Sequence, residues 1–366
     1  MSMGENVMDS KRNATVGFWV FDAAPEKITH FVELYFSAAC MYNINFFAFS
    51  AKDVDINNKT INGVFWEDGQ YIRKSIQMPL LFDFRLGSNL DRNFPDILTA
   101  LRQNGYQVSR RGIGEKNDVS NWLLNGKYAE YVIETQNYVD CSINEFLEKH
   151  SIIIFKPSAS SSGKGIYKVE KKNNETVRVQ YLTDVKEANL NNFILENHDI
   201  FMEKRYLVQS YINSTAQDGS PIDIRLNVAR GKKGQWRTSI LYIRLGGANY
   251  IGTNMGTEQR SHSIIVEKSL SYQLGEIEGK RVYNEVKEFA REFPEYFQKK
   301  LKFIVPELAI DIGIDRNNGN KLKIFEVGVS PGHSAVNLST VPSLNIQFYK
   351  YLIDEKWDLI NVSKKE

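Results

Sequence analysis

Cysteine is almost missing from this chain. Its 366 residues include two, Cys40 and Cys141, far apart in sequence. That spacing argues against a disulfide framework or a zinc cage, and two thiols suit a reducing cytoplasm. Charge of one sign is missing too. The formal net charge is +2, which gives no electrostatic basis for binding nucleic acid. No apolar run is long enough to span a membrane, and the opening Met1-Ser2-Met3-Gly4-Glu5-Asn6 does not read as a signal peptide. The expectation is a cytoplasmic protein with no membrane partner. No Gly-x-Gly-x-x-Gly follows a strand. Internal repeats and low-complexity segments are also lacking. What remains is an ordinary globular mix, 42% hydrophobic and 25% charged. The length allows two or three compact lobes.

One stretch stands out, Ile152-Ile153-Ile154-Phe155-Lys156-Pro157 followed by Ser158-Ala159-Ser160-Ser161-Ser162-Gly163-Lys164-Gly165. The apolar residues suit a buried strand, and Lys156 sits at its end. Four serines and two glycines follow with no bulky side chain, so backbone N–H groups can approach phosphate oxygens closely. Lys164 adds charge at the tip. The plainer reading is a serine-rich hairpin. A Walker A loop fits poorly, because Ser158 stands where its first glycine belongs and Gly165 follows Gly163-Lys164 in place of Ser or Thr.

The elements around it alternate. Strands are expected at 15–21, 45–50 and 80–85, a hairpin at 61–76, and helices at 25–42 and 94–103. This pattern reads as an open α/β lobe over residues 1–111. A second lobe, 112–206, holds short helices from Lys116 and from 143 to 150, the latter capped by Ser142, then a strand at 177–182 and a helix at 189–202. A third, 207–366, is rich in long strands: 206–212, 222–229, 238–245, and a hairpin 309–315/323–327 across Asn317-Asn318-Gly319. An amphipathic helix spans 280–301, which Pro294 kinks or splits, and a last helix spans 346–360. The fold class is therefore α/β, as α+β lobes.

Charges interrupt the third lobe's apolar strands. Arg225 and Arg244 lie inside two of them, and Asp311 and Glu326 lie on the two arms of one hairpin. Buried charges are costly unless paired or liganded. Arg225 with Asp223, and Arg244 with Glu326, would serve as core ion pairs. Taken with Lys156 and the serine–glycine loop, the set fits a nucleotide–magnesium site better, since carboxylates plus phosphate oxygens usually hold magnesium and arginine forks suit phosphate.

These motifs resemble those of ATP-grasp proteins, and more narrowly of the spore-coat-associated YheC/YheD-like group. The likeness covers most of the chain. The run ending Pro79-Leu80-Leu81-Phe82-Asp83-Phe84-Arg85 resembles that group's leading lobe. Lys116 and Lys156 resemble its two nucleotide lysines. Val208-Gln209-Ser210-Tyr211-Ile212 resembles the hinge that holds adenine, and Asp223-Ile224-Arg225 the D-x-R element. Arg244 and Thr253-Asn254-Met255 resemble the arginine and S/T-N-L element of the third lobe. Asp311, and Glu326 within Phe325-Glu326-Val327-Gly328-Val329-Ser330-Pro331-Gly332-His333, resemble the metal-binding E-V-N-x-x-P-G segment.

The resemblance implies an ATP-grasp fold behind a pre-ATP-grasp domain. It also implies a carbon–nitrogen ligase that uses ATP and Mg2+, releases ADP, and joins a small carboxylate to an amine through an acyl-phosphate. It gives Lys116, Lys156, Ser161, Ser162, Gly163 and Lys164 to the ATP phosphates, and Gln209, Ser210, Tyr211 and Ile212 to adenine. Asp223 joins this nucleotide-binding set. Arg225, Arg244 and Asn254 fall to catalysis, and Asp311 and Glu326 to the metal. His333 belongs at the acceptor pocket or in a turn. Three places depart from the pattern. Gly328 replaces the metal-binding Asn, Glu258 and Gln259 stand near the usual Gly-Gly pair, and Ser210 fills a hinge place that is often acidic. The alternative is a coat or scaffold protein that keeps the fold and ATP binding, possible spore association included. The acid, the amine and the oligomeric state are not legible.

Overall fold

The computed structural model describes residues 15–20, 23–84, 93–108, 113, 116–158, 163–255, 261–301, 303–329 and 340–355. The first lobe is a seven-stranded sheet in the order β3-β4-β2-β1-β6-β7, with β5 on β4. Its strands are β1 Thr15–Trp19, β2 Asn45–Phe49, β3 Val54–Asp55, β4 Thr60–Glu67, β5 Gln70–Gln77, β6 Leu81–Phe84 and β7 Tyr106–Val108. Strands β2, β1, β6 and β7 run parallel, and the β4–β5 hairpin turns the edge antiparallel. Every residue of β1 is buried, as expected of a parallel strand covered on both faces. Helix α1, His30–Met41, covers one face through Val32, Tyr35 and Phe36. Helix α2, Pro95–Asn104, covers the other through Leu98 and Leu101.

The second sheet is antiparallel, in the order β12-β11-β10-β9-β13-β8. Helix α3, Lys116–Leu124, precedes it. Its strands are β8 Thr135–Asn137, β9 Ile152–Pro157, β10 Tyr167–Lys171, β11 Thr176–Tyr181, β12 Asp184–Asn189 and β13 Tyr206–Ser210. Helices α4, Ile143–His150, and α5, Leu190–Glu203, pack on one face through Phe146, Leu147, Phe193 and Phe201. Asn189 caps α5 by accepting from the amides of Asn191 and Asn192. Ser142 stands at the N-cap of α4 without a side-chain capping bond, unlike the expectation. Residues 206–210, expected to open the third lobe, instead pair with β9 and β8 and so belong to this sheet.

The third sheet is antiparallel, in the order β16-β15-β14-β17-β18. Its strands are β14 Ile222–Arg230, β15 Trp236–Leu245, β16 Ser261–Ser263, β17 Glu307–Asp315 and β18 Lys321–Gly328. Helices α6, Val266–Leu274, and α7, Glu276–Gln298, cover one face. Pro294 lies inside α7, which runs unbroken through it. Phe289, Phe293 and Phe297 of α7 are buried, each contributing about 1.5–3 kcal/mol. Tyr128, following α3, meets Phe289 and Phe293 edge-on at 5.5 and 5.1 Å. Ile113, Val119, Leu123 and Val132 join the same core, and so pack on the third sheet. The last helix, α8, Thr340–Glu355, returns to the first lobe. Its Ile346, Phe348, Tyr349 and Leu352 share a core with Val16, Tyr35 and Phe46.

Candidate active site

Alternate residues of the third sheet face away from its core. Strand register arranges them in rungs. Asp223 lies opposite Arg244, and Arg244 opposite His262. The next rung is Tyr242, Arg225, Asp311 and Glu326, across β15, β14, β17 and β18. The one after is Ile240, Asn227, Ala309 and Gly328.

The charges in these rungs form one network. Arg244 donates through Nε and Nη2 to the two carboxylate oxygens of Asp223, both at 2.6 Å, and Thr253 Oγ1 donates to Asp223 Oδ2 at 2.6 Å. Arg225 Nη1 donates to Asp311 Oδ1 at 2.6 Å, and Arg244 Nη2 lies 3.0 Å from the same oxygen. The pairs of the plainer alternative, Arg225 with Asp223 and Arg244 with Glu326, are therefore not those that form. Neighbours across a rung are closer than residues two apart on one strand, and register chose the partners. Burial is the largest influence on Asp311 and works to raise its pKa, but Arg225 and Arg244 together hold the carboxyl below its ordinary value. At Asp223 burial prevails over Arg244 and pushes the carboxyl up. Burial opposes the charge on Arg244 as well, yet Asp223 and Asp311 raise its pKa.

A cleft of about 1030 Å³, counting its open mouth, separates this face from the second sheet. Lys156 on β9 lines the far wall, buried, with Nζ donating to Gln209 Oε1 at 2.9 Å. Gln209 Nε2 in turn donates to Thr135 Oγ1 at 2.8 Å. Ser210, Tyr211 and Ile212 line the cleft where the sheets join. The amides of Ser210 and Tyr211 are committed to the carbonyls of Glu134 and Ile152. The ammonium of Lys168 lies 4.0 Å from the Tyr211 ring centroid, and burial lowers its pKa. Gly163 bounds the cleft with φ +68°, and a Cβ there would stand 2.7 Å from Met255 Cγ. A larger residue at 163 would be strained and would push against the third lobe.

Residues 106–354 match the family model described as YheC/D like ATP-grasp. The chain belongs to the YheC/D-like ATP-grasp family. It is 20% identical over 331 residues to the endospore coat-associated protein YheD of Bacillus subtilis (strain 168), covering 84% of this chain and 71% of that protein. Among solved structures, it is similar to the D-cycloserine synthetase DcsG, with 10% identity, 92% and 98% of the two chains covered, and a TM-score of 0.48. It is also similar to D-alanyl-alanine synthetase A of Vibrio cholerae, with 11% identity, 93% and 96% covered, and a TM-score of 0.47.

In this ATP-grasp protein, Lys156, Gly163, Gln209, Ser210, Tyr211, Ile212, Asp223, Asn254, Asp311 and Glu326 all border one cleft. Arg225 and Arg244 stand behind Asp223 and Asp311 through the ion pairs. Lys164 is exposed and does not line the cleft. Lys116 opens α3, but its side chain lies outside the described residues, as do Ser161, Ser162, Glu258, Gln259 and His333. Sequence reasoning missed Thr135, which lies in a three-residue strand with no periodicity of its own. It also missed Asn227, although Asp223, Arg225 and Asn227 repeat with the period of a strand.

The donors fit magnesium. Both arginines converge on Oδ1 of Asp311, and its Oδ2 accepts no hydrogen bond from a described residue. Glu326 is opposite Asp311 and exposed to the cleft. Among the described residues no group of three or more His, Cys, Asp or Glu could hold a metal. Two carboxylates therefore need phosphate oxygens and water to complete an octahedron, which is how magnesium is usually bound.

Proposed function

We propose that this protein is an ATP-dependent carboxylate–amine ligase working through an acyl-phosphate. The observation that carries this reading is the charged face opposite Lys156. Arg225 and Arg244 are held by two aspartates at the floor of a cleft that a nucleotide and a small acid would fill. Moreover, Arg225 Nε is buried and without a hydrogen-bond partner among the described residues, a costly state that an incoming oxygen would relieve. ATP is expected along Lys156 and Gly163, with adenine against residues 209–212. Of those hinge residues, Ile212 has an amide that meets no described backbone carbonyl.

Arg225 positions the acid and the transferring phosphoryl group, while Asp223, saturated by Arg244 and Thr253, keeps Arg244 in place. A carboxylate oxygen of the acid takes the γ-phosphoryl group as the bond to ADP breaks. The amine then forms the new bond to the acyl carbon, and phosphate leaves with the electron pair of the old one and takes up the proton the amine loses. Asp311 and Glu326 would hold magnesium, which when bound neutralises charge on the phosphate oxygens. The residues need supply no nucleophile, because positioning and electrostatics suffice. Three domains, the first at 1–111 and the boundary between the other two moved from 206/207 to beyond Ser210 because β13 lies inside the second sheet, and a cytoplasmic site of action, where ATP is supplied, belong to this reading.

A screen of amino acids, peptides and carrier-bound acyl groups with amine acceptors, read as ADP release, tests it. Release that depends on both an acid and Arg225 supports the ligase. A second reading, a coat or scaffold component that retained ATP binding, draws on the likeness to the endospore coat-associated protein of Bacillus subtilis and on Gly328. That reading predicts nucleotide binding with no acid-dependent ADP release.

A further inference from the structure

The rung beside the two carboxylates holds an unexplained group. Asn227 is 3% exposed, and its Oδ1 is buried with no hydrogen-bond partner among the described residues. Buried carboxamides rarely go unpaired, and each exception calls for a cause. Asn227 does not face the core. Its strand neighbours Leu226 and Val228 do, which leaves Asn227 on the charged face with Asp223 and Arg225. Its partners across the rung are Ala309 and then Gly328, neither of which fills the space with a polar side chain. A Cβ added at Gly328 would meet nothing within 4 Å. Asp311 is one diagonal neighbour of Asn227 across the β14–β17 pair, and Glu307, which accepts from Asn345, is the other. Diagonal neighbours on one face lie roughly 7–8 Å apart, within the span of two ligands and a cation between them.

We propose that Asn227 is the third protein oxygen of the metal site, serving with Asp311 and Glu326, directly or through one bound water. This rests on the magnesium–nucleotide reading of the cleft. The side chain suits this role because no described residue claims its oxygen, and Ala309, its partner across the rung, carries only a methyl group. A merely structural asparagine would instead spend that oxygen on a backbone amide or a hydroxyl.

The test is Mn2+ binding to the full chain, followed by electron paramagnetic resonance, with and without the non-hydrolysable analogue AMP-PNP. Asn227→Leu should weaken Mn2+ binding in the ternary complex by about tenfold or more. It should leave metal-free AMP-PNP affinity unchanged and the melting temperature equal or higher. Asn227→Asp, which keeps an oxygen, should bind Mn2+ as well as the wild type or better. Gly328→Asn, which offers a carboxamide to the same rung, should restore much of the loss in Asn227→Leu. Wild-type Mn2+ affinity in Asn227→Leu overturns the proposal. So does a parallel loss of melting temperature and metal-free nucleotide affinity, which marks a structural role. If the wild-type chain binds neither AMP-PNP nor Mn2+, the reading of the cleft falls first and this proposal with it.

Discussion

The two faces of the third sheet are built from the same strands and differ in almost everything else. On β14, Ile222, Ile224, Leu226 and Val228 enter a core shared with α7, while Asp223, Arg225 and Asn227 alternate with them on the opposite face, where Asp223 borders the cleft. The core face holds by apolar burial and tolerates only changes that keep its volume. On the cleft face, two arginines and two aspartates pair with one another, while Arg225 Nε has no partner among the described residues. Such a network adds little stability over an apolar replacement, yet losing one member is severe. A face that is costly to build and gains little stability is best explained by what it binds. The same strands thus anchor the fold and, in the proposed reading, present the chemistry.

The largest expected effect separates the faces by their remedy. Arg244→Met should cost about 3–5 kcal/mol in urea unfolding, because Asp223 and Asp311 stay buried without their shared cation. Adding Asp223→Leu should recover a good part of that loss. Ile224→Ala should cost a similar 2–5 kcal/mol or so by leaving a cavity, and no cleft substitution should restore it. If Arg244→Met melts like the wild type, the network contributes nothing to holding the sheet.

Arg225→Met comes next. With one ion pair and an unpartnered Nε, it should perturb stability less than Arg244→Met while lowering acid-dependent ADP release by about 10²–10³-fold. Stability loss equal to that of Arg244→Met, with turnover intact, would move Arg225 to the structural side of the comparison. Lys156→Ala, on the opposite wall, should weaken nucleotide binding by about tenfold or more in calorimetry, since a charge-assisted contact contributes roughly 1.5–3 kcal/mol. Glu326→Ala should be smallest in stability, within about 0.5 kcal/mol because the side chain is exposed. It should still abolish metal-dependent turnover, which a simple surface residue would not do.

Much of this was legible in the sequence, for physical reasons. Strands β14, β15 and β17 carry long apolar runs, and the charges that interrupt the strands marked the face that borders the cleft. Lys156 was placed by the apolar run before it and the small residues after it. Other elements left no such mark. Strand β12 is exposed along most of its length and exists because β11 pairs with it, a non-local cause. Strand β13 looks the same whether it opens one sheet or closes another, and only its hydrogen bonds to β9 decide. The arginine partners were misjudged because register, including the bulge at Asp311/Ile312, is set by whole strands. Helix α8 shows an apolar face, but nothing in its own residues says that the covering partner lies some three hundred positions earlier, where Asn345 meets Tyr35.

The claim that the charged face is a magnesium–nucleotide site is tested most directly by a crystal structure of the full chain with AMP-PNP and Mg2+. The account predicts the triphosphate in the cleft against Lys156, with a metal about 2.1 Å from oxygens of both Asp311 and Glu326. A nucleotide bound elsewhere, or a bound nucleotide whose metal touches neither carboxylate, would contradict it.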